Sequence, residues 1–199
     1  MNLLPSTVLL GALLMAGGCE QPRPCPLPYL GSSTEAPKLE VWTLDAQGET
    51  LPLNGGESVP LFTPSQGGRV LFIGVRATNL DACGAELTAS ARDPVSNQVR
   101  LDGRTINLQP DGTGWGGSLG DRVDTQANVP VCPNQWSSAD IPGNRYTLTV
   151  TLIDRLKRTA ERTLDIRPTC LAEDVNCPCL CHAGYVLGQS CGGSPDGGQ

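Results

Sequence analysis

The chain has 199 residues and a formal net charge of −6, with 24 glycines, 17 prolines and 4% aromatic residues. That acidic balance argues against a nucleic-acid groove or a polybasic membrane surface. Frequent turn formers, few aromatics and no long stretch of helical apolar spacing favour many short β-strands.

From Leu3 to Ala16 the chain is apolar apart from Pro5, Ser6, Thr7 and Gly11. At about 14 residues this run is shorter than the ~20 a helix needs to cross a bilayer, but it has the length of a signal-peptide apolar region. It closes on Ala16-Gly17-Gly18-Cys19, which resembles the lipobox of bacterial lipoproteins. The resemblance implies that residues 1–18 are removed, that the Cys19 thiol carries diacylglycerol, and that a lipid anchor holds the protein on a membrane of the cell envelope. Ala16-Gly17-Gly18 would also suit an ordinary signal peptidase, which would give a secreted protein. Cysteine parity chooses between the two. With Cys19 lipidated, eight of the nine cysteines remain: Cys25, Cys83, Cys132, Cys170, Cys177, Cys179, Cys181 and Cys191. An even set suits complete pairing, and an exported chain lies in an oxidising compartment where such cysteines read as disulfides.

Residues 19–37 begin with Cys19 and contain five prolines between 22 and 37. They read as an extended tether that holds a domain away from the lipid. From 38 to 167 short strands alternate with turn clusters. Lys38 to Leu44 and Val59 to Phe62 are candidate strands. Arg69 to Leu80 is the clearest early one, with Leu71, Ile73, Val75 and Ala77 on one face, and Val70 and Phe72 covering the other face of its first half. Glu86 to Arg92 turns Leu87, Ala89 and Ala91 inward. Asp102-Gly103, between Val99-Arg100-Leu101 and Arg104-Thr105-Ile106, suggests a tight hairpin, because Asp-Gly supplies the positive φ angles of a type I′ turn.

Residues 110–121 form a glycine-rich loop without the Gly-Lys-Ser/Thr ending of a phosphate cradle. Asp111, Asp121 and Asp124 are oxygen ligands of the kind calcium takes, but no spaced Asp-x-Asp-x-Asp-Gly run holds them. A solvated loop is the better reading.

Asn144 to Ile153 sets Tyr146, Leu148, Val150 and Leu152 on one face and threonines on the other. A polar turn at Asp154 to Lys157 leads into Arg158 to Ile166. Pro142-Gly143-x-x-Tyr146-x-Leu148-x-Val150 with its returning strand resembles the last hairpin of immunoglobulin-like and fibronectin-like sandwiches. The resemblance implies an all-β antiparallel sandwich in which Tyr146 is the tyrosine corner, bonding back to the preceding loop. The Cys…Trp…Cys pattern of antibody domains is absent. The fold by itself names no activity.

Residues 168–191 hold five cysteines in a stretch too poor in apolar residues to build a core, so this piece needs covalent staples. Cys179-x-Cys181-x-x-Gly184-Tyr185, followed after five residues by Cys191, resembles the last hairpin of an EGF-like module. That resemblance implies a Cys181–Cys191 bridge. Cys83–Cys132 and Cys25–Cys170 are the other candidate pairs, the latter because those two flank the domain. Residues 192–199 read as a disordered tail. Three other readings of the cluster are open: zinc or copper on Cys177, Cys179, Cys181 and His182, haem attachment at Cys177-x-x-x-Cys181-His182, and a redox pair at Cys177-Pro178-Cys179. Export favours disulfides over all three.

His182 is the single histidine and sits in this stapled piece, with no nucleophile motif near it. Arg155, Lys157, Arg158 and Arg162 make a basic strip along the last hairpin, suited to an acidic partner or to discouraging strand pairing. The sequence therefore reads as a lipid-anchored envelope protein with a non-catalytic binding, adhesion or structural module. Its partners would be the membrane and an envelope or extracellular protein, with no cofactor, nucleic acid or small-molecule substrate. Loops 81–84 and 153–158 would be its contact surface. The rival is a redox or metal-handling lipoprotein that uses Cys177 to His182.

Overall fold

The computed structural model describes residues 25–118 and 122–191. Residues 1–18, expected to be a signal peptide, Cys19, Asp121 and residues 192–199 lie outside the described residues. In chain order the strands are β1 Tyr29–Leu30, β2 Lys38–Leu44, β3 Thr50–Leu53, β4 Ser58–Leu61, β5 Arg69–Thr78, β6 Leu80–Asp81 and β7 Ala85–Arg92. They continue as β8 Val99–Ile106, β9 Gln109–Pro110, β10 Trp115–Gly117, β11 Ala127–Cys132, β12 Tyr146–Ile153 and β13 Thr159–Cys170, followed by one helical turn, α1 Cys177–Leu180. No helix among the described residues is long and apolar enough to cross a membrane.

Two sheets face each other. In one, β3, β2 and β5 lie side by side, and the far edge of β5 is shared by β10 at residues 76–78 and β11 at residues 69–73. The other runs β4-β13-β12-β7-β8, antiparallel throughout except that β4 lies parallel to the end of β13. With β2-β5-β11 as strands A-B-E and β13-β12-β7-β8 as G-F-C-C′, the chain follows an immunoglobulin-like path. One flank is bridged by β4, which pairs with β13 while Phe62 meets Val70 of β5. On the other flank the sheets curl together like half a barrel, and the Asn128 N–H of β11 donates to the Asp102 carboxylate of β8 at 2.7 Å.

Alternation along the strands builds the core. Leu71, Ile73, Val75 and Ala77 of β5 meet Leu87 and Ala89 of β7 and Leu148, Val150 and Leu152 of β12 in one buried cluster. Each fully buried aliphatic side chain of this kind contributes on the order of 1.5–3 kcal/mol. The outer face of β5 is also covered at its start, where Val70 and Phe72 pack with Leu44 and Phe62.

The Asp102-Gly103 hairpin does not form. β8 is continuous, with Asp102 opposite Ala89 and Gly103 opposite Thr88 in mid-strand, and Gly103 stays out of the left-handed region. Asp102 spends its carboxylate across the flank, on Asn128 and on Arg104 at 2.7 Å. The turn lies earlier, at 93–98, where the Asp93 N–H donates to the Gln98 carbonyl and Asn97 takes a φ of 58°.

All eight cysteines of the described chain are paired, as Cys25–Cys83, Cys132–Cys181, Cys170–Cys177 and Cys179–Cys191. None of the three pairings suggested by the sequence occurs. Cys83 follows the last residues of β5, whereas Cys132 lies opposite Arg69 at its first, so a Cys83–Cys132 bridge would have to span a ten-residue strand, about 30 Å. Cys25–Cys170 fails for the same reason, since Cys170 pairs with Leu61 at the far end of the sandwich. Cys181–Cys191 fails because α1 turns Cys177 and Cys181, four residues apart, onto one buried face. Cys179, two residues on, points the other way and takes Cys191.

Candidate functional site

The sequence places loops 81–84 and 153–158 at one end of the sandwich, and the structure brings them into contact. Asp154 opens the turn between β12 and β13 and is 1% exposed. Its carboxylate accepts from the N–H groups of Leu156 and Arg158, both at 2.8 Å, and from Asp81 N–H at 3.0 Å. Three backbone donors that would otherwise be unpaired are thereby satisfied, and the two loops are fixed to one another. Arg155 adds an ion pair to Asp81 at 2.7 Å.

Residues 25–37, part of the stretch 19–37 read from its prolines as an extended tether, lie on this same end. β1 pairs with β6, and Leu30 is 2% exposed within the core. The Ser32 N–H donates to Asn79 Oδ1, and Asn79 Nδ2 donates to the Ala36 carbonyl. The Arg158 guanidinium donates to the Tyr29 hydroxyl and the Glu35 carbonyl. Gly31, at a φ of 60°, lies so close to Thr78 and Asn79 that no side chain would fit. Cys25–Cys83 makes the attachment covalent. Part of the end expected to be an open contact surface is thus overlaid by the chain's own N-terminal segment, while the turn at residues 155–157 stays exposed.

The opposite end carries an open groove of about 450 Å³. Its floor is uncharged, formed by Ser96, Gln98, Asn134, Gln135, Trp136 and Tyr185. Val95, Val186 and Leu187, each at least 67% exposed, adjoin two of the three chain segments that line it. Tyr146, buried, lies behind two of the lining residues, Trp136 and Ser137. Its hydroxyl lies 2.6 Å from Ser137 Oγ and donates to the Asp140 carbonyl at 3.2 Å, as the tyrosine-corner resemblance implies. Burial pushes the phenol pKa up, and the nearby Asp93 charge adds to this against the Ser137 hydrogen bond. The Trp136 ring packs on Tyr146 at 5.6 Å, with its Nε1–H donating to the Val131 carbonyl.

Asp93, 1% exposed, organises this end. It accepts from the N–H groups of Val95 and Ser138 and from the hydroxyls of Ser96 and Ser138. Burial alone would raise its pKa, but the four donors outweigh burial and hold the carboxyl well below the usual range. The tail is fastened alongside. The Asn134 and Ile141 N–H groups donate to the Leu180 and Cys181 carbonyls, and Arg69, 6% exposed, is ion-paired with Asp174.

The chemistry-bearing residues of the sequence distribute as follows. Cys177 and Cys179 are bound to Cys170 and Cys191 and offer no free thiolate. His182 turns Nδ1 to the Ala183 carbonyl and sets its ring edge-on to Tyr185. Asp111 is engaged by Thr113 and Arg76, which bring its pKa to about 2, and Asp124 by Arg122. Among the described residues no group of three or more His, Cys, Asp or Glu side chains could hold a metal ion. Of the basic strip, Arg155 and Lys157 pair with Asp81 and Glu86, Arg158 binds the N-terminal segment, and Arg162 is exposed on β13. Sequence reasoning missed Asp93 and the groove. The available signal was Asp93-Pro94 followed by Ser96 and Asn97, an aspartate poised to cap its own turn.

No family model matches the chain, and no curated protein does either.

Proposed function

We propose that this is a lipid-anchored protein of a bacterial cell envelope, whose disulfide-stapled sandwich serves as a non-catalytic binding or structural module. The observation that carries the reading is the pairing of all eight cysteines between 25 and 191. Complete oxidation suits an exported chain, and it leaves Cys19 as the odd cysteine, at the position that lipobox cysteines occupy. The groove at the tail end supports a binding role, being uncharged and flanked by exposed aliphatic side chains.

Intact mass spectrometry of the full chain, purified from a bacterial envelope with and without reduction and alkylation, tests this reading. The expected result is a diacyl or triacyl adduct on Cys19 and no alkylable thiol before reduction. Free thiols between Cys177 and Cys181, or metal retained in a native spectrum, would transfer the proposal to a redox or metal-handling lipoprotein.

A further inference from the structure

The anchor and the sandwich are joined by a short connection. Cys25 is tied to Cys83, and only residues 20–24 separate it from Cys19. Six residue spacings reach at most about 20 Å when fully extended. A lipid on Cys19 would therefore hold the Cys83 end of the sandwich against the bilayer. The far end lies a further strand length away, about 30 Å along β5.

What projects from the near end is the turn Arg155-Leu156-Lys157. Leu156 is 64% exposed at its apex, although its own N–H is held by the buried Asp154. Lys157 takes a φ of 63° in the same turn. The turn is rigid, since Asp154 accepts from residues 156 and 158 and bonds the Asp81 backbone beneath. It is also electrically balanced. Both of its exposed cations are paired, Arg155 with Asp81 at 2.7 Å and Lys157 with Glu86 at 3.7 Å. A fixed apolar apex flanked by two amphipathic cations, without local net charge, suits the boundary between headgroups and acyl chains.

We infer that this turn is a membrane contact: the sandwich stands on the lipid surface through Leu156, with the Arg155 and Lys157 stems lying among the headgroups. The tail and groove then face away from the bilayer, toward any partner. The inference rests on the anchoring reading above. Because the turn is charge-balanced, the contact does not require anionic lipid.

The test uses full-length lipidated protein in phosphatidylcholine vesicles containing brominated acyl chains, which quench nearby tryptophan. Leu156→Trp and Val95→Trp place probes at exposed positions on opposite ends, and each is compared with the parent chain to subtract Trp42, Trp115 and Trp136. Bromolipid is expected to remove the fluorescence added at position 156 and leave that added at position 95 intact. Replacing part of the lipid by phosphatidylglycerol, or raising salt, should not change the ratio. A lipid adduct on Cys19 together with an unquenched probe at position 156, or with equal quenching at both positions, would overturn this inference alone. Absence of the adduct in the mass spectrum would overturn the anchoring reading, and this inference with it.

Discussion

At the tether end of the sandwich a buried aspartate, Asp154, gathers three backbone N–H groups. At the tail end another, Asp93, gathers two backbone N–H groups and two serine hydroxyls. Both carboxylates are 1% exposed, and each fixes its own turn while pinning a second loop. The surroundings differ. The tether end has one disulfide and a segment laid into the core through Leu30, whereas the tail end has three disulfides and the Trp136–Tyr146 pair. Where the overlying chain brings aliphatic side chains, burial holds it in place. Where its larger aliphatic side chains stay outside, as Val175, Val186 and Leu187 do, covalent links and buried hydrogen bonds take over.

This contrast predicts a ranking of effects, readable in urea unfolding of the full chain. Replacing Cys132 and Cys181 together by serine should cost about 4 kcal/mol, because a long loop is released and two hydroxyls enter a buried site. The same change at Cys25 and Cys83 releases a loop of similar length but puts one hydroxyl rather than two into a buried site, and should cost about 2 kcal/mol, since Leu30, Asn79 and Arg158 still hold that segment. Equal losses would mean that the tether end depends on its disulfide as much as the tail end does.

Next come the aspartates. Asp93→Ala should cost about 3 kcal/mol and Asp154→Ala about 2 kcal/mol, each leaving buried donors without an acceptor. Tyr146→Phe should cost about 1 kcal/mol, by removing the hydroxyl shared with Ser137 and Asp140. Acid provides a finer probe. The Asp93 carboxyl is held below its unfolded value, so its contribution is present in full above that value, near pH 4. It is lost as the pH falls toward the folded value. Between pH 5 and pH 3 the stability gap between wild type and Asp93→Asn should narrow by about 1 kcal/mol. Arg155→Ala, which breaks an exposed pair, should change stability by less than about 0.5 kcal/mol.

Strand patterns were legible in the sequence because burial alternates with period two wherever one face meets the core. β2, β7 and β12 carry that alternation, whereas β5, buried on both faces, was legible as a continuous apolar run. Tyr146 was legible because a tyrosine opening the penultimate strand has one local partner, the loop just before it. Asp102-Gly103 misled because the dipeptide permits a turn without requiring one. The flank to β11 offered Asp102 a better acceptor role. β3, with Thr50-Leu51-Pro52-Leu53, was missed because it is only four residues long and a proline interrupts it. The disulfides and the laid-down tether were out of reach for a different reason. Both depend on which end of the sandwich a segment reaches, and neither spacing nor composition encodes that. Once α1 is known, the facing of Cys177 and Cys181 against Cys179 follows from helical periodicity alone.

The most direct test of this account is disulfide mapping of the oxidised, full-length protein by proteolysis and mass spectrometry under non-reducing, thiol-blocked conditions. Linked peptides are expected for Cys25–Cys83, Cys132–Cys181, Cys170–Cys177 and Cys179–Cys191. A Cys181–Cys191 peptide, or blocked free thiols at Cys177 and Cys179, would contradict this pairing and reopen the tail as a chemically active cluster.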